Sequence, residues 1–374
     1  MCGGPSVTGA GGLEWEALEL LAAGLPAAGA EERLRALLRA RELSWGELLE
    51  QAIRHRLIAA LAVQVERLAV APPLRIGEHL ALVLRANRHR VRVLQEEACR
   101  LARRLEAAGV RFAAVKGAVL ASSLYRDSGE RMMADVDFLI PPAEGPQVER
   151  VLDDAGYVAG RYDAATRRVV HFSRRESIEF RLQPHHLPHR IKLLDDPLVD
   201  HVDVGFATHL AWTRAGFEVP LEPLLADAVA VPVAAGREEL PALRPADELL
   251  LAALVLYKYA SFAVYLEAGC DVSLAAFADL VRLWRHGVDP VVLRGRLADP
   301  QLRKTFTWSL EHTDRLFGTE ILPRLGLAWE GSEDELHQVF FAGREVRIAP
   351  GGFRRRLYSK DRRLLFAAGE EMPR

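Results

Sequence analysis

The sequence predicts an α+β fold, a small mixed β-sheet core flanked by N-terminal and C-terminal helical regions. Three observations carry this. Residues 13–109 are rich in Leu, Ala, Arg and Glu, all good helix formers, and show no strand-like alternation. Residues 110–183 mix short apolar runs with helical stretches, an order that sets helices against a sheet. From Pro245 to about Leu325 the pattern returns to helix. The expected organisation is a disordered lead-in at 1–12, an N-terminal helical region at 13–109, the α/β core at 110–240, a C-terminal helical region at 241–340 and a basic tail at 341–374.

Pro26 and Pro72-Pro73 punctuate the first helical region. Its last helix runs from about Gly77 to Ala108, with Leu94, Ala98, Leu101 and Leu105 at helical spacing and Gly109 as a stop. Phe112–Val115 has the length of a buried strand, Ala118–Tyr125 reads as helix, and Arg126–Glu130 as loop. Val136–Ile140 is strand-like and ends at Pro141-Pro142. Val148, Val151, Leu152 and Ala155 form a helix face. Val169–Phe172 and Ser177–Leu182 read as two strands of a hairpin around Arg174–Glu176, and Ala228–Val233 as one strand more. Asp247-Glu248 charges the first turn of the next helix, which suits the positive end of its dipole. Phe277, Leu280, Val281 and Trp284 line one face of a later helix.

Composition excludes more than it names. With 50% hydrophobic and 27% charged residues among 374, the chain can bury a core, and disorder throughout is excluded. A formal net charge of −2 points to no partner. The three cysteines, Cys2, Cys99 and Cys270, show neither metal nor disulfide spacing and suit a reducing cytoplasm. The longest apolar stretch, Leu249–Leu256, is too short to span a bilayer, so no membrane span is expected. The N-terminal MCGGPSVTGAGG lacks the basic start and apolar run of a secretory signal.

The chemistry lies in KGAVLASSLYRDSGERMMADVDF, Lys116 to Phe138. Strand residues two apart share a face, so Asp135 and Asp137 project together while Val136 and Phe138 face a core. Two adjacent carboxylates repel unless a cation offsets them, and hard oxygen ligands of this kind suit Mg²⁺. A third carboxylate on a neighbouring strand would bridge a second metal. Glu179, between Ile178 and Phe180, is the natural choice, with Glu176 as competitor in the presumed turn. Gly117 permits close backbone approach, the amides of a helix start favour a phosphate, and Lys116 and Arg131 add positive charge. No GxxxxGK[ST] and no GxGxxG after a strand is present.

Lys116-Gly117, Tyr125 at a helix end, Arg131 and then Asp135-Val136-Asp137 resemble the motif of the nucleotidyltransferase superfamily related to DNA polymerase beta, and more narrowly that of uncharacterised bacterial nucleotidyltransferases. The specific likeness covers residues 111–140, and a looser likeness in helical pattern extends from about 30 to about 320. It implies a nucleotidyltransferase core that moves a nucleoside monophosphate from an NTP such as ATP to an acceptor, usually a hydroxyl, with Mg²⁺ (two ions). Asp135, Asp137 and Glu179 would be the catalytic and metal-binding triad, and Lys116, Gly117 and Arg131 would contact the nucleotide; apart from the resemblance, Lys258, between the packing residues Tyr257 and Tyr259 of a helical run, is a further residue that could face the nucleotide. Two positions depart from the superfamily: Ala118 stands where Gly or Ser usually follows the glycine, and Arg181 where His often follows the third carboxylate.

Other features read more plainly. His185, His186 and His189 match no zinc spacing and sit between Pro184 and Pro188, as in a solvated or acceptor-side loop. Arg344–Arg363 holds eight basic and two acidic residues and reads as a solvated tail; a nucleic-acid partner is open but unsupported. The acceptor is open among a small molecule, a peptide or protein, and an RNA end. The alternative is a non-catalytic, antitoxin-like binding or regulatory protein on the same fold. A third reading, a helical interaction protein, would leave the two aspartates on an open surface.

Overall fold

The computed structural model describes residues 12–25, 28–181, 185–342 and 345–366. The lead-in before Gly12, Pro26, Leu182, Pro184, Arg344 and the last eight residues of the basic tail lie outside them.

Among the described residues five helices precede the sheet: α1 (Leu13–Ala23), α2 (Ala30–Arg39), α3 (Trp45–Arg54), α4 (Ile58–Arg67) and α5 (Leu74–Ala107). Local chemistry sets their ends. Gly24, at φ +70°, closes α1 in the left-handed conformation that a side chain would strain. The Ser44 hydroxyl caps α3 by accepting from the Glu47 amide. Helix α5 follows Pro73 and stops before Gly109, which has φ +74°. Leu80, Leu84, Val91, Leu94, Ala98, Leu101 and Leu105 form its buried face.

The core alternates strands and helices: β1 (Ala113–Val115), α6 (Gly117–Ser123), β2 (Val136–Leu139), α7 (Gly145–Asp154), β3 (Val158–Asp163), β4 (Arg168–His171), α8 (Arg174–Arg181), β5 (Arg190–Leu193), β6 (His201–Ala207), α9 (Leu221–Ala226), β7 (Val229–Val233) and β8 (Glu238–Ala242). The strands form one mixed sheet in the order β4-β3-β5-β6-β2-β1-β8-β7. Strand β2 lies antiparallel to β1 and parallel to β6.

The hairpin expected around Arg174–Glu176 is absent, and Ser177 to Arg181 is helix, not strand. The reason is a capping box. The Ser173 hydroxyl receives the Glu176 amide at 3.3 Å while Glu176 Oε2 receives the Ser173 amide at 2.8 Å, which starts α8. Strand β4 pairs with β3 instead. Strands β3, β5, β6 and β8 were not anticipated, although Val202, Val204 and Phe206 alternate at strand period and are buried.

Behind the sheet come α10 (Pro245–Ser261), α11 (Ala263–Glu267), α12 (Leu274–Gly287), α13 (Pro290–Arg296), α14 (Pro300–Phe317), α15 (Ile321–Leu325), α16 (Glu333–Leu336), the strand pair β9 (Gln338–Phe340) and β10 (Val346–Ile348), and α17 (Gly352–Tyr358). One apolar core runs from Ala17 in α1 to Tyr358 in α17.

The solvated-tail expectation is corrected for residues 345–366. Phe353, Leu357 and Tyr358 are buried, and two of the arginines are internal. Arg356 reaches Asp271 at 2.9 Å and Arg362 reaches it at 2.7 Å. The positive charge that looked like a solvated surface neutralises a buried aspartate.

Candidate active site

The register of four adjacent segments builds the site. Val115 of β1 stands opposite Asp137 of β2, and Asp137 stands beside Gly205 of β6. Strand β5 begins at Arg190 opposite Val204, so His189 continues that register to Gly205. One residue back from the Val136–Val204 pair, Asp135 adjoins Asp203. Asp135, Asp137 and Asp203 therefore share one face of the sheet, while Val136, Val204, Phe138 and Phe206 are buried in the core.

Gly205 makes this crowding feasible. A Cβ there would stand 3.0 Å from Asp137 Oδ1 and 3.4 Å from the His189 ring. His189 Nδ1 lies 2.9 Å from Asp203 Oδ1, and that bond and the acidic neighbours raise the imidazole above its ordinary range against the effect of burial. Burial and the charges of Asp137 and Asp203 raise the Asp135 carboxyl, with Lys116 and His189 opposing.

Lys116 closes the other side. Its Nζ lies 3.0 Å from Asp137 Oδ2. Burial favours the neutral amine, but Asp137 and Asp135 outweigh it and hold the ammonium above its usual range. Its backbone turns from β1 into α6 at φ +56°, ψ −129°, a conformation costing a non-glycine residue on the order of 1–3 kcal/mol. Glu248, in the first turn of α10, takes up the Lys116 amide through Oε1 at 2.8 Å. That amide, one of those expected to favour a phosphate, thus already has an internal acceptor.

Helix α5 and α12 fix the segment leading to the aspartates. Arg90 donates to the Met133 carbonyl at 2.9 Å and the Ala134 carbonyl at 3.0 Å. Asn87 donates to the carbonyls of Gly129 at 2.7 Å and Arg131 at 3.2 Å. Arg131 binds Asp279 through Nε and Nη2, at 3.1 and 2.7 Å, and the Tyr125 hydroxyl donates to the same carboxylate at 2.7 Å. Gly117 makes room for this arrangement, since a Cβ there would meet Arg131 Nη1 at 2.8 Å and Met133 Cγ at 3.0 Å. Its role in the fold is to admit a guanidinium.

A cavity of about 300 Å³ opens at this point, lined among others by Lys116, Gly117, Arg131, Asp135, Asp137 and Glu248. The two aspartates do not lie on an open face, and the reading as an interaction protein with surface acids loses its support. Lys258 stands next to this site, its ammonium 5.9 Å from the ring centres of Tyr259 and Tyr265. Burial and the charge of Lys116 lower it to about 8.

The structure thus groups Lys116, Gly117, Arg131, Asp135 and Asp137 as the motif suggested, with Lys258 close by. It does not place Glu179 on a neighbouring strand; that residue sits in α8. Glu176, the competitor, is held by Arg161 and Ser173. Asp203 occupies the neighbouring-strand position instead. Sequence reasoning missed it, together with the roles of His189, Glu248, Arg90 and Asp279 in the site. The alternating Val202-Asp203-Val204 was the available signal. His189, expected in a solvated or acceptor-side loop, is partly exposed with its ring on Asp203, and its neighbour His186 is pushed down to about 3 by burial and by Lys258.

The donor set of three partly buried carboxylates on one sheet face fits Mg²⁺ in its chemistry. Among the described residues no three His, Cys, Asp or Glu side chains already stand as a metal-holding group. Lys116 and His189 engage two of the carboxylates instead.

A fold of this kind, with a paired-aspartate strand beside a Lys-Gly turn, defines a nucleotidyltransferase-like protein. The model of a family described as "Uncharacterised nucleotidyltransferase" matches residues 41–318, well over half of the chain, and the chain belongs to that family. No curated protein matches it. The match reaches from α3 through α14 and includes every site residue named above. Among the described residues no helix is long and apolar enough to cross a membrane.

Proposed function

We propose that the chain transfers a nucleoside monophosphate from a Mg²⁺-bound NTP to an acceptor hydroxyl, with Asp135, Asp137 and Asp203 as the metal ligands. The observation that carries this reading is the convergence of those carboxylates on one sheet face beside Lys116 and the cavity. Asp203 replaces Glu179 and Glu176 in the third role because it stands on the strand next to Asp137, and they do not. When bound, Mg²⁺ supplies charge neutralisation at the phosphates and activation of the attacking hydroxyl.

The chain's own groups have distinct tasks. Lys116 presents an ammonium at the phosphate end and balances Asp137 until nucleotide arrives. His189 orients Asp203 through its Nδ1 bond. Arg131 spends its fork on Asp279, so it braces the Asp135 segment and Gly117 in place of gripping the triphosphate. Lys258 adds positive charge toward Asp137.

Calorimetric titration with Mg-NTP, comparing wild type with the Asp135→Asn/Asp137→Asn double variant and with Asp203→Asn, tests the assignment. Loss of binding in both variants is expected, and equal binding in all three proteins sinks it. A binding protein on the same fold would take up Mg-NTP and label no acceptor. Transfer of label from an α-labelled NTP to components of a cell extract, by wild type and not by the double variant, separates turnover from that alternative.

A further inference from the structure

The cavity wall holds an acceptor that the fold leaves unused. Glu248 is 3% exposed. Its Oε1 receives the Lys116 amide, while Oε2 is closed to solvent and has no hydrogen-bond partner. An amide side chain would hold the Lys116 N–H equally well, so folding does not require the second carboxylate oxygen, and a buried acceptor without a donor destabilises the empty protein. The nearby cations do not satisfy it. Lys116 Nζ is on Asp137, and Arg131 Nε and Nη2 are on Asp279.

We infer that Glu248 reads the nucleoside part of the bound nucleotide, a small turn of its carboxylate bringing Oε2 to the cavity to accept a hydrogen bond from a neutral N–H or O–H donor on the base or the ribose. This rests on the nucleotide reading given above. A carboxylate repels phosphate oxygens, so the triphosphate belongs at the Lys116 and aspartate end and an uncharged donor belongs beside Glu248. The rest of that wall suits such a moiety. Leu120, Ala252, Val255, Leu256 and Tyr259 line the same cavity with apolar and aromatic surface. A site with one unpaired acceptor discriminates strongly, because a ligand lacking the donor leaves that acceptor buried and unpaired.

Glu248→Gln isolates the effect. The Gln oxygen keeps the Lys116 amide, since the reverse orientation would set NH₂ against N–H, and the Gln NH₂ then replaces the acceptor Oε2 with a donor. Binding is measured at about pH 8.5, above the value of about 7 to which burial raises this carboxyl. The probes are Mg²⁺ complexes of ATP, GTP, CTP and UTP, their 2′-deoxy and 3′-deoxy forms, and Mg-tripolyphosphate. The expected result is a loss on the order of tenfold or more for the preferred NTP in Glu248→Gln, with Mg-tripolyphosphate binding unchanged. Wild type losing the same factor on one deoxy form assigns the donor to that ribose hydroxyl. Loss of base preference in the variant assigns it to the base. The inference is overturned if Glu248→Gln, shown folded by circular dichroism, binds every NTP as wild type does. It is equally overturned, with no variant needed, if wild type binds all bases and both deoxy forms within about twofold. Wild type that binds none of the NTPs overturns the nucleotide reading itself, a result distinct from either of these.

Discussion

Arg131 and Asp279 join the loop that presents the aspartates to a helix 148 residues further along the chain, Nη2 lying 2.7 Å from Oδ2. Both side chains are largely buried, and Tyr125 completes the carboxylate's partners. Removing one member of a buried pair leaves the other charge unpaired. Asp279→Asn is expected to destabilise the fold by about 3 kcal/mol, with Tyr125→Phe costing about 1 kcal/mol. Urea unfolding measures both; a loss under about 1 kcal/mol for Asp279→Asn would show the pair to be well solvated.

Gly117 and Gly205 are spacers for different partners. Gly117→Ala pushes on Arg131 and Met133 and is expected to cost about 1–2 kcal/mol, despite alanine's better helix propensity. Gly205→Ala pushes on Asp137 and His189 and is expected to weaken Mg-NTP binding by roughly tenfold or more through displacement of an aspartate. Calorimetry and thermal melts on the two variants separate the effects, and unchanged binding in Gly205→Ala would contradict the crowding argument.

Arg90 clamps two carbonyls just before Asp135. Arg90→Ala is expected to lower stability by roughly 1–2 kcal/mol and to weaken Mg-NTP binding, because the segment Met133–Asp135 loses its orientation. Hydrogen exchange of the amides of residues 133–136 reports the loosening; exchange identical to wild type would place the constraint elsewhere.

Acid sensitivity follows from two buried imidazoles. Burial lowers His55 and His312 to about 3 from an ordinary value of 6.5. His55 Nδ1 accepts the Leu274 amide, and His312 Nε2 donates to the Leu336 carbonyl. A depressed histidine is neutral in the fold and protonated in the unfolded chain between those two values. The stability it contributes is therefore complete above about pH 6.5 and lost as pH falls toward about 3, at up to roughly 1.4 kcal/mol per pH unit for each residue. Urea midpoints of wild type and His312→Gln across pH 4–7 measure this, and parallel curves would remove His312 from the account.

The chain end is a structural brace. Asp271 is 2% exposed and paired to Arg356 and Arg362. Asp271→Asn is expected to cost about 3 kcal/mol or more, and truncation after Phe340 to destabilise the whole fold. A truncated protein with the wild-type melting temperature would restore the solvated-tail reading.

Local chemistry determined a good deal of this protein from sequence alone. Composition and helix period marked 13–109 and Pro245 to about Leu325 as helical and traced most of α5. A three-to-four-residue apolar run followed by Lys-Gly located β1 and α6, and the two-residue spacing put Asp135 and Asp137 on one side of β2. One local signal was misjudged, and the other failures were non-local. Ser177 to Arg181 looked like a strand because Ile178 and Phe180 alternate with Ser and Glu, yet the Ser173–Glu176 capping box, which acts over three residues, made it helix. The alternation around Asp203 marks a strand but not a site, and His189 and Glu248 carry no signature of their roles, because those roles come from standing beside Asp137, Asp203 and Lys116. Backbone propensity and side-chain period act within a few residues and can be read in order. Which carboxylate meets which strand depends on sheet register, and whether an arginine faces water or a buried aspartate depends on what packs over it, so only the tertiary structure decided those.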